Sequence, residues 1–190
     1  MTASPRLITG RAYRLGDYID CDAILPVRFC TRPTPEILRR FCLTIVDPDF
    51  PLKAGHDQII VAGKDFGRGS ANENAVRALM ESYVRAVVAT SFAALFQRNA
   101  LNLGFPALTA DDCLVETETG DRIVIDLESW QFANLASGCE SSLGGNPGLE
   151  RDILLTGGLI PWTRRHSTTP SEPAARRARR LPSSLRNREP

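Results

Sequence analysis

Three observations predict an α/β fold, a mixed or parallel sheet covered by helices, for this 190-residue chain. Short apolar runs alternate with stretches whose apolar residues recur at helical spacing, the pattern of strands joined by crossover helices. The runs are bounded by glycine or proline, the residues that end regular structure. A hydrophobic fraction of 43% and a charged fraction of 24% are those of an ordinary globular domain with a real core.

The elements follow in order. "ITGRAYRLGDYIDCDAILP" reads as a strand, an acid-bearing loop and a second short apolar strand ended by Pro26. Thr34 before Pro35 and Glu36 marks a helix start, and Ile37, Leu38, Phe41 and Cys42 give that helix one apolar face. "HDQIIVAG" is a buried strand closed by Gly63. A second amphipathic helix carries Ala75, Val76, Leu79, Met80, Tyr83 and Val84. "AVVATS" is the next strand and "FAALFQRNALNLG" the next helix, with Gly104 as its stop. "GDRIVIDLESWQFANL" alternates like two strands joined by a tight turn. Residues 150–162 are expected to close the domain with one more helix and strand. The domain is therefore placed at residues 1–162. Residues 163–190, rich in Arg, Pro and Ser, are read as a basic disordered tail that buries too little surface to offset its ordering entropy.

Composition excludes several classes. A formal net charge of +1 disfavours nucleic acid or membrane as a generic partner, although a basic tail leaves RNA binding as a rival reading for that segment. No apolar run reaches the roughly 20 residues needed to span a bilayer, and the first residues hold no apolar block of leader length. A cytoplasmic location is expected. Cys21, Cys30, Cys42, Cys113 and Cys139 are odd in number and form no C-x-x-C pair. They read as small buried thiols in a reducing compartment, with neither a zinc signature, a disulfide framework nor a cluster ligand set. No metal is assigned to this chain. His56 is expected in a surface loop and His166 in the tail, so no catalytic histidine is expected from either.

The stretch "KDFGRGSANENA" holds the chemistry. Ser70 and Glu73 have capping-box spacing, which makes them a helix start. Gly67 and Gly69 free the backbone to close on an anion, and a strand, a glycine loop and a helix N-terminus in that order make a carboxylate or phosphate cradle. Asn72 and the absence of a third glycine break the dinucleotide pattern, and no Gly-Lys-Ser/Thr ending is present, so nucleotides are disfavoured.

"GDYIDCDAILP", "IIVAGKDFGRGSANENA", "VVATSFAALFQRNALNLGFP" and "GDRIVIDL" together resemble the small subunit of 3-isopropylmalate dehydratase, which is similar to the swivelling C-terminal domain of aconitase. The likeness runs in continuous order from Thr9 to Trp162. It implies a swivelling β/β/α domain, a mixed sheet or open barrel with flanking helices. It also implies a heterodimer in which a separate large subunit holds a [4Fe–4S] cluster and the small subunit completes the site. The implied reaction is dehydration and rehydration of a small hydroxy-acid, which needs a base, an electrophile for the departing oxygen and donors for carboxylate charge.

By the same resemblance Ser70 is the base, its alkoxide favoured by a helix N-terminus. Gly67, Arg68, Gly69 and Asn72 form the substrate cradle. Asp22 faces the site, Asp20 serves the loop, and Arg28 of "LP-x-R" helps line it. Arg32 and Cys30 lie in the loop where the family distinguishes substrates, while Arg98 and Asn99 are given no role. The family loop reads Gly-Cys-Gly-Ser-Ser-Arg-Glu-His-Ala; here Arg68 replaces the cysteine, Ala71 the second serine, Asn72 the arginine and Asn74 the histidine. Loss of the arginine ordinarily costs about 2–4 kcal/mol of transition-state stabilisation. Arg68 could supply the charge from another angle, the substrate could lack one carboxylate, or catalysis could be lost. The favoured reading is the second, a hydro-lyase with an altered substrate; the alternative is an inactive structural or regulatory partner.

Overall fold

In the computed structural model, residues 4–53, 55, 57–70 and 72–167 are described. Seven strands form one mixed sheet in the order β4-β3-β2-β1-β5-β6-β7. Strands β1 (Leu7–Arg14), β2 (Gln58–Ala62), β3 (Ala86–Ala89) and β4 (Ala107–Thr109) run parallel. Strands β5 (Arg122–Asp126), β6 (Gln131–Asn134) and β7 (Cys139–Ser142) continue the sheet antiparallel.

The apolar runs of β2 and β3 have no polar face because both of their faces are buried. Ile60, Ala62, Val87 and Ala89 point into one core, which is filled by Ile24, Leu38, Val76, Leu79 and Phe96 from the helices. Ile59, Val61, Ala86 and Val88 point into a second core with Ile123, Ile125, Phe132 and Leu143, so the antiparallel half curls over that face. The expected mixed sheet with helical cover is the observed one.

The helices are α1 (Cys21–Ile24), α2 (Pro35–Phe41), α3 (Phe50–Lys53), α4 (Glu73–Glu81), α5 (Ala94–Leu103), α6 (Asp112–Val115), α7 (Leu149–Thr156) and α8 (Leu159–His166). Helix α2 starts as the sequence predicts: Thr34 accepts a hydrogen bond from the Ile37 N–H, with proline in the first turn. Gly104 ends α5 in the left-handed region, at φ 71°.

Four expectations are corrected. The apolar run after the first loop is a helical turn, α1, because the Asp20 carbonyl accepts from both Ala23 and Ile24. The closing segment is two helices with no strand; Gly157 and Gly158, both at positive φ, turn the chain between them. Helix α8 carries helical structure through Thr163–His166, past the expected domain end at 162, and places His166 on a helix with its ring stacked on Trp162. The rest of the expected tail from residue 168, and His56, lie outside the described residues.

The fourth correction concerns cysteine. Cys113 in α6 and Cys139 at the start of β7 form a disulfide, with their Cα atoms 5.6 Å apart. A separation of 26 residues resembles no local motif; the pair meets only because the sheet curls α6 against β7. Cys21, Cys30 and Cys42 are free thiols, of which Cys30 is only half-buried.

Candidate active site

Parallel strands end at one edge of the sheet, and the loops leaving β1, β2 and β3 meet there. Backbone bonds tie the first two loops together. Tyr18 N–H donates to the Lys64 carbonyl at 2.7 Å, Gly67 N–H to Ile19 at 2.7 Å, and Cys21 N–H to Arg68 at 2.8 Å. Asp20 and Arg68 form a parallel bridge, so the loops extend the β1–β2 ladder beyond the strands. A bridge between Phe66 and Phe92 adds the third loop, and the Phe66, Phe92 and Phe96 rings pack beneath.

The two glycines have different reasons to be glycine. Both have positive φ, 79° at Gly67 and 86° at Gly69. A Cβ on Gly67 would lie 2.2 Å from the Phe96 ring, whereas one on Gly69 would meet nothing closer than an Asp20 oxygen at 3.8 Å. Gly67 lets the loop rest on the aromatic floor; Gly69 only permits the turn.

The exposed tip of the loop carries the polar groups. The Ser70 hydroxyl donates to Asp22 Oδ1 at 3.0 Å. Arg68 Nε donates to Asp20 Oδ1 at 2.6 Å, and its guanidinium carbon is 5.4 Å from the Tyr18 ring centroid. The ion pair keeps the Arg68 guanidinium charged, its pKa raised first by the hydrogen bond to Asp20. Asp20 is thus a fastener for Arg68, and Asp22 is the carboxylate that meets the serine.

The capping box is not formed. The N-cap of α4 is Asn72, whose Oδ1 accepts from the Asn74 N–H at 2.9 Å. Glu73 turns instead to Arg77, at 2.6 Å. The Ser70 hydroxyl is therefore free of capping and available to Asp22. Asn72 is also engaged at its other end, where Nδ2 donates to Cys30 Sγ at 2.6 Å. The Asn74 side chain donates to the Cys30 carbonyl at 3.4 Å. Cys30 was legible only as a residue of "VRFCTRP"; nothing in its spacing places it against Asn72. Cys21 is buried below, with its thiol donating to the Gly67 carbonyl at 3.0 Å and its pKa pushed up by burial.

The structure thus joins Ser70 with Asp22, Arg68 with Asp20, and Asn72 with Cys30. Arg28 stands apart from these pairs: it lies on a 3₁₀ turn, exposed, 4.8 Å over the Phe29 ring, with no hydrogen bond or ion pair to the other candidate residues. Chemically, a serine hydroxyl on a carboxylate, beside a fixed guanidinium at the mouth of a parallel sheet, can exchange a proton with a bound acid and hold its charge.

The aconitase C-terminal domain family matches residues 35–112. The small subunit of 3-isopropylmalate dehydratase from Thermodesulfovibrio yellowstonii is 37% identical over 158 residues, spanning 83% of this chain and 94% of that protein. The isopropylmalate/citramalate isomerase small subunit of Methanocaldococcus jannaschii is 38% identical over 159 residues, spanning 84% of this chain and 95% of its own. This chain belongs to the 3-isopropylmalate dehydratase small-subunit family. A crystal structure of 3-isopropylmalate dehydratase from Methanocaldococcus jannaschii superposes with a TM-score of 0.77 at 36% identity, covering 84% of this chain and 95% of that one.

The donors on this member of the family do not fit an iron–sulfur cluster. Among the described residues no group of three or more His, Cys, Asp or Glu is arranged to hold a metal ion. Cys113 and Cys139 are bonded to each other, and Cys21 and Cys42 are buried, with Cys42 pushed up to about 12 by burial. Among the described residues no helix is long and apolar enough to cross a membrane.

Proposed function

We propose that this chain is the small subunit of a two-subunit hydro-lyase that removes water from a small hydroxy-acid and adds it back at the interface with a large subunit. The family relationship supports the reaction class, and the hydrogen bond from Ser70 to Asp22 is the observation that carries the reading. A large subunit holding the [4Fe–4S] cluster is part of the proposal; bound there, the cluster would supply the electrophile for the departing oxygen.

This chain's own residues then have separate tasks. Ser70 takes the proton from the carbon beside the substrate carboxylate. A serine hydroxyl has no basicity of its own near neutrality, and the Asp22 carboxylate at 3.0 Å orients it and receives its proton. Arg68, held by Asp20, is the cation nearest this pair along the loop, and its Nη groups have no hydrogen-bond partner among the described residues. Gly67 seats the loop on the Phe96 ring with its N–H spent on the Ile19 carbonyl, so Gly69 is the glycine of the two whose backbone closes on a carboxylate oxygen. Asn72 takes no charge-bearing role, because both ends of its amide are used by Asn74 and Cys30. A loop with one guanidinium at 68 and none at 72 suits an acid that presents one carboxylate fewer, or a neutral group, to that corner. Arg28 completes the wall only when a partner brings the loops together.

A cytoplasmic location goes with this reading, and Cys113–Cys139 is then an intracellular disulfide. The test is anaerobic co-purification with the large subunit encoded by the same organism, followed by hydration of citraconate, isopropylmaleate and related unsaturated acids. Turnover that Ser70→Ala abolishes within an intact complex is expected. An intact, cluster-loaded complex that turns over equally with and without Ser70 would sink the assignment.

A further inference from the structure

A second concentration of charge lies at the opposite pole of the sheet. The active-site loops leave the C-terminal ends of β1, β2 and β3, whereas a cavity of about 340 Å³ opens where β2, β3 and β5 begin. Its lining is Thr9, Gly10, Arg11, Asp57, Arg85 and Arg122: three guanidinium groups against one carboxylate.

The backbone brings these cations together. Arg11 of β1 and Arg122 of β5 are register partners, so their side chains leave the same face of the sheet. Like charges placed directly opposite each other destabilise a strand pair, and an antiparallel ladder offers them no way apart except by bending outward. Arg85 approaches from the start of β3. Its N–H donates to the Gln58 carbonyl at 2.8 Å, and its Nη1 reaches past β2 to the Thr9 carbonyl at 2.8 Å. Gly10 forms the floor: a Cβ there would lie 2.1 Å from the Asp57 carbonyl oxygen, which itself accepts from the Arg11 N–H at 2.8 Å.

The counter-charge in the cavity is a single one, the Asp57 carboxylate, against three guanidinium groups. Among the described residues Arg11, Arg85 and Arg122 form no ion pair, and the Arg122 side chain has no hydrogen-bond partner. Among the described residues Arg11 Nη1 reaches only the Gly120 carbonyl, at 3.3 Å. The neighbouring Asp121 does not line the cavity, and its Oδ2 accepts from the Glu118 N–H and the Asn134 amide. Three guanidinium groups around one carboxylate leave the cavity with an excess of positive charge, which favours an anion.

We propose that this cavity binds a phosphate-class oxyanion, either free phosphate or the phosphoryl group of a larger ligand. Three forked guanidiniums match a tetrahedral dianion, which accepts several charge-assisted hydrogen bonds at once, better than they match a flat monocarboxylate. The site shares no residue with the Ser70 loop, so it stands independently of the proposed reaction.

Thermal melts and titration calorimetry on the full chain test it, with sodium phosphate, adenosine triphosphate, and sodium chloride at matched ionic strength. Phosphate is expected to raise the melting temperature saturably where chloride does not. Arg122→Gln, an exposed and unpartnered side chain, is expected to weaken phosphate binding by about tenfold or more. Without phosphate the same variant is expected to melt no lower than the parent, because a repulsive pair has been relieved. Arg11→Gln should act in the same direction. Tighter binding of adenosine triphosphate than of phosphate assigns the site to a phosphorylated ligand, and the reverse assigns it to the free ion; either supports the proposal. A phosphate effect no larger than that of chloride, or one equal in the parent and Arg122→Gln, overturns it.

Discussion

Ser70 and Asp22 are 48 positions apart in sequence, yet the serine hydroxyl donates to the aspartate at 3.0 Å. Both side chains are exposed at the mouth of the sheet, so neither is held there by burial. In the assembled enzyme Ser70→Ala and Asp22→Asn are each expected to lower turnover by about 100-fold or more, the usual contribution of a positioned proton-transfer group. Melting temperature and co-purification should hardly move, since changes to exposed, non-capping side chains stay within about 0.5 kcal/mol. Loss of assembly in parallel with loss of turnover would show a structural role instead.

Asn72→Ala removes the acceptor that caps α4 and the donor to Cys30. It is expected to destabilise the chain by about 1 kcal/mol in urea denaturation. Asn72→Asp keeps the cap oxygen and should recover most of that loss. Ser70→Ala serves as the comparison; a larger loss there than at Asn72 would contradict the observed cap.

Gly67→Ala and Gly69→Ala share a positive-φ penalty but differ in the space available. At Gly67 the new methyl meets the Phe96 ring, and overpacking adds about 1–3 kcal/mol. Circular-dichroism melts should therefore rank Gly67→Ala well below Gly69→Ala. Equal melting temperatures would mean that the loop does not rest on Phe96.

Reduction of Cys113–Cys139 frees a loop spanning 26 residues. The chain-entropy estimate for a loop of that size is about 3.5 kcal/mol. Melts with and without dithiothreitol should differ accordingly in the parent and coincide in Cys139→Ser. A parent chain indifferent to reductant would show that the bridge contributes little.

Acid sensitivity is expected from Asp47. The Tyr13 hydroxyl donates to it, Lys53 lies 3.0 Å away, and together they hold its carboxyl down at about 2 from an ordinary 3.8. Because the folded state takes up this proton less readily than the unfolded chain, the contribution is fully present above about pH 4. It is lost as pH falls toward 2. In Tyr13→Phe the first cause is gone, and stability should fall less steeply across that window when followed by intrinsic fluorescence. An unchanged acid slope would exclude the pair as its source.

Much of this was legible beforehand, for physical reasons. The strand β2 announced its burial because its apolar run has no polar alternation, and β3 was legible as the next apolar strand. Thr34 and Pro35 fixed the start of α2 by local chemistry, and Gly104 fixed the end of α5. Ser70 and Asp22 were picked out through family likeness, but their hydrogen bond was not visible, since two loops meet only once the parallel ladder forms. Capping failed for a related reason: Ser70 and Glu73 have the right spacing, but the turn after Gly69 delays the helix until Asn72 is the last extended residue, at φ −98° and ψ 112°. The disulfide, the Asn72–Cys30 contact and the Arg11–Arg122 pairing are likewise products of topology, which no single window of sequence contains.

The loops leaving β1 and β2 are joined through main-chain atoms, by way of Tyr18, Ile19, Cys21, Lys64, Gly67 and Arg68. Peptide groups are the same whatever side chains they carry. The frame that presents Ser70 to Asp22 therefore does not depend on the side chains at 68, 72 and 74. Such a mouth can be re-lettered while Ser70 and Asp22 keep their positions, much as type is changed in a locked printing form.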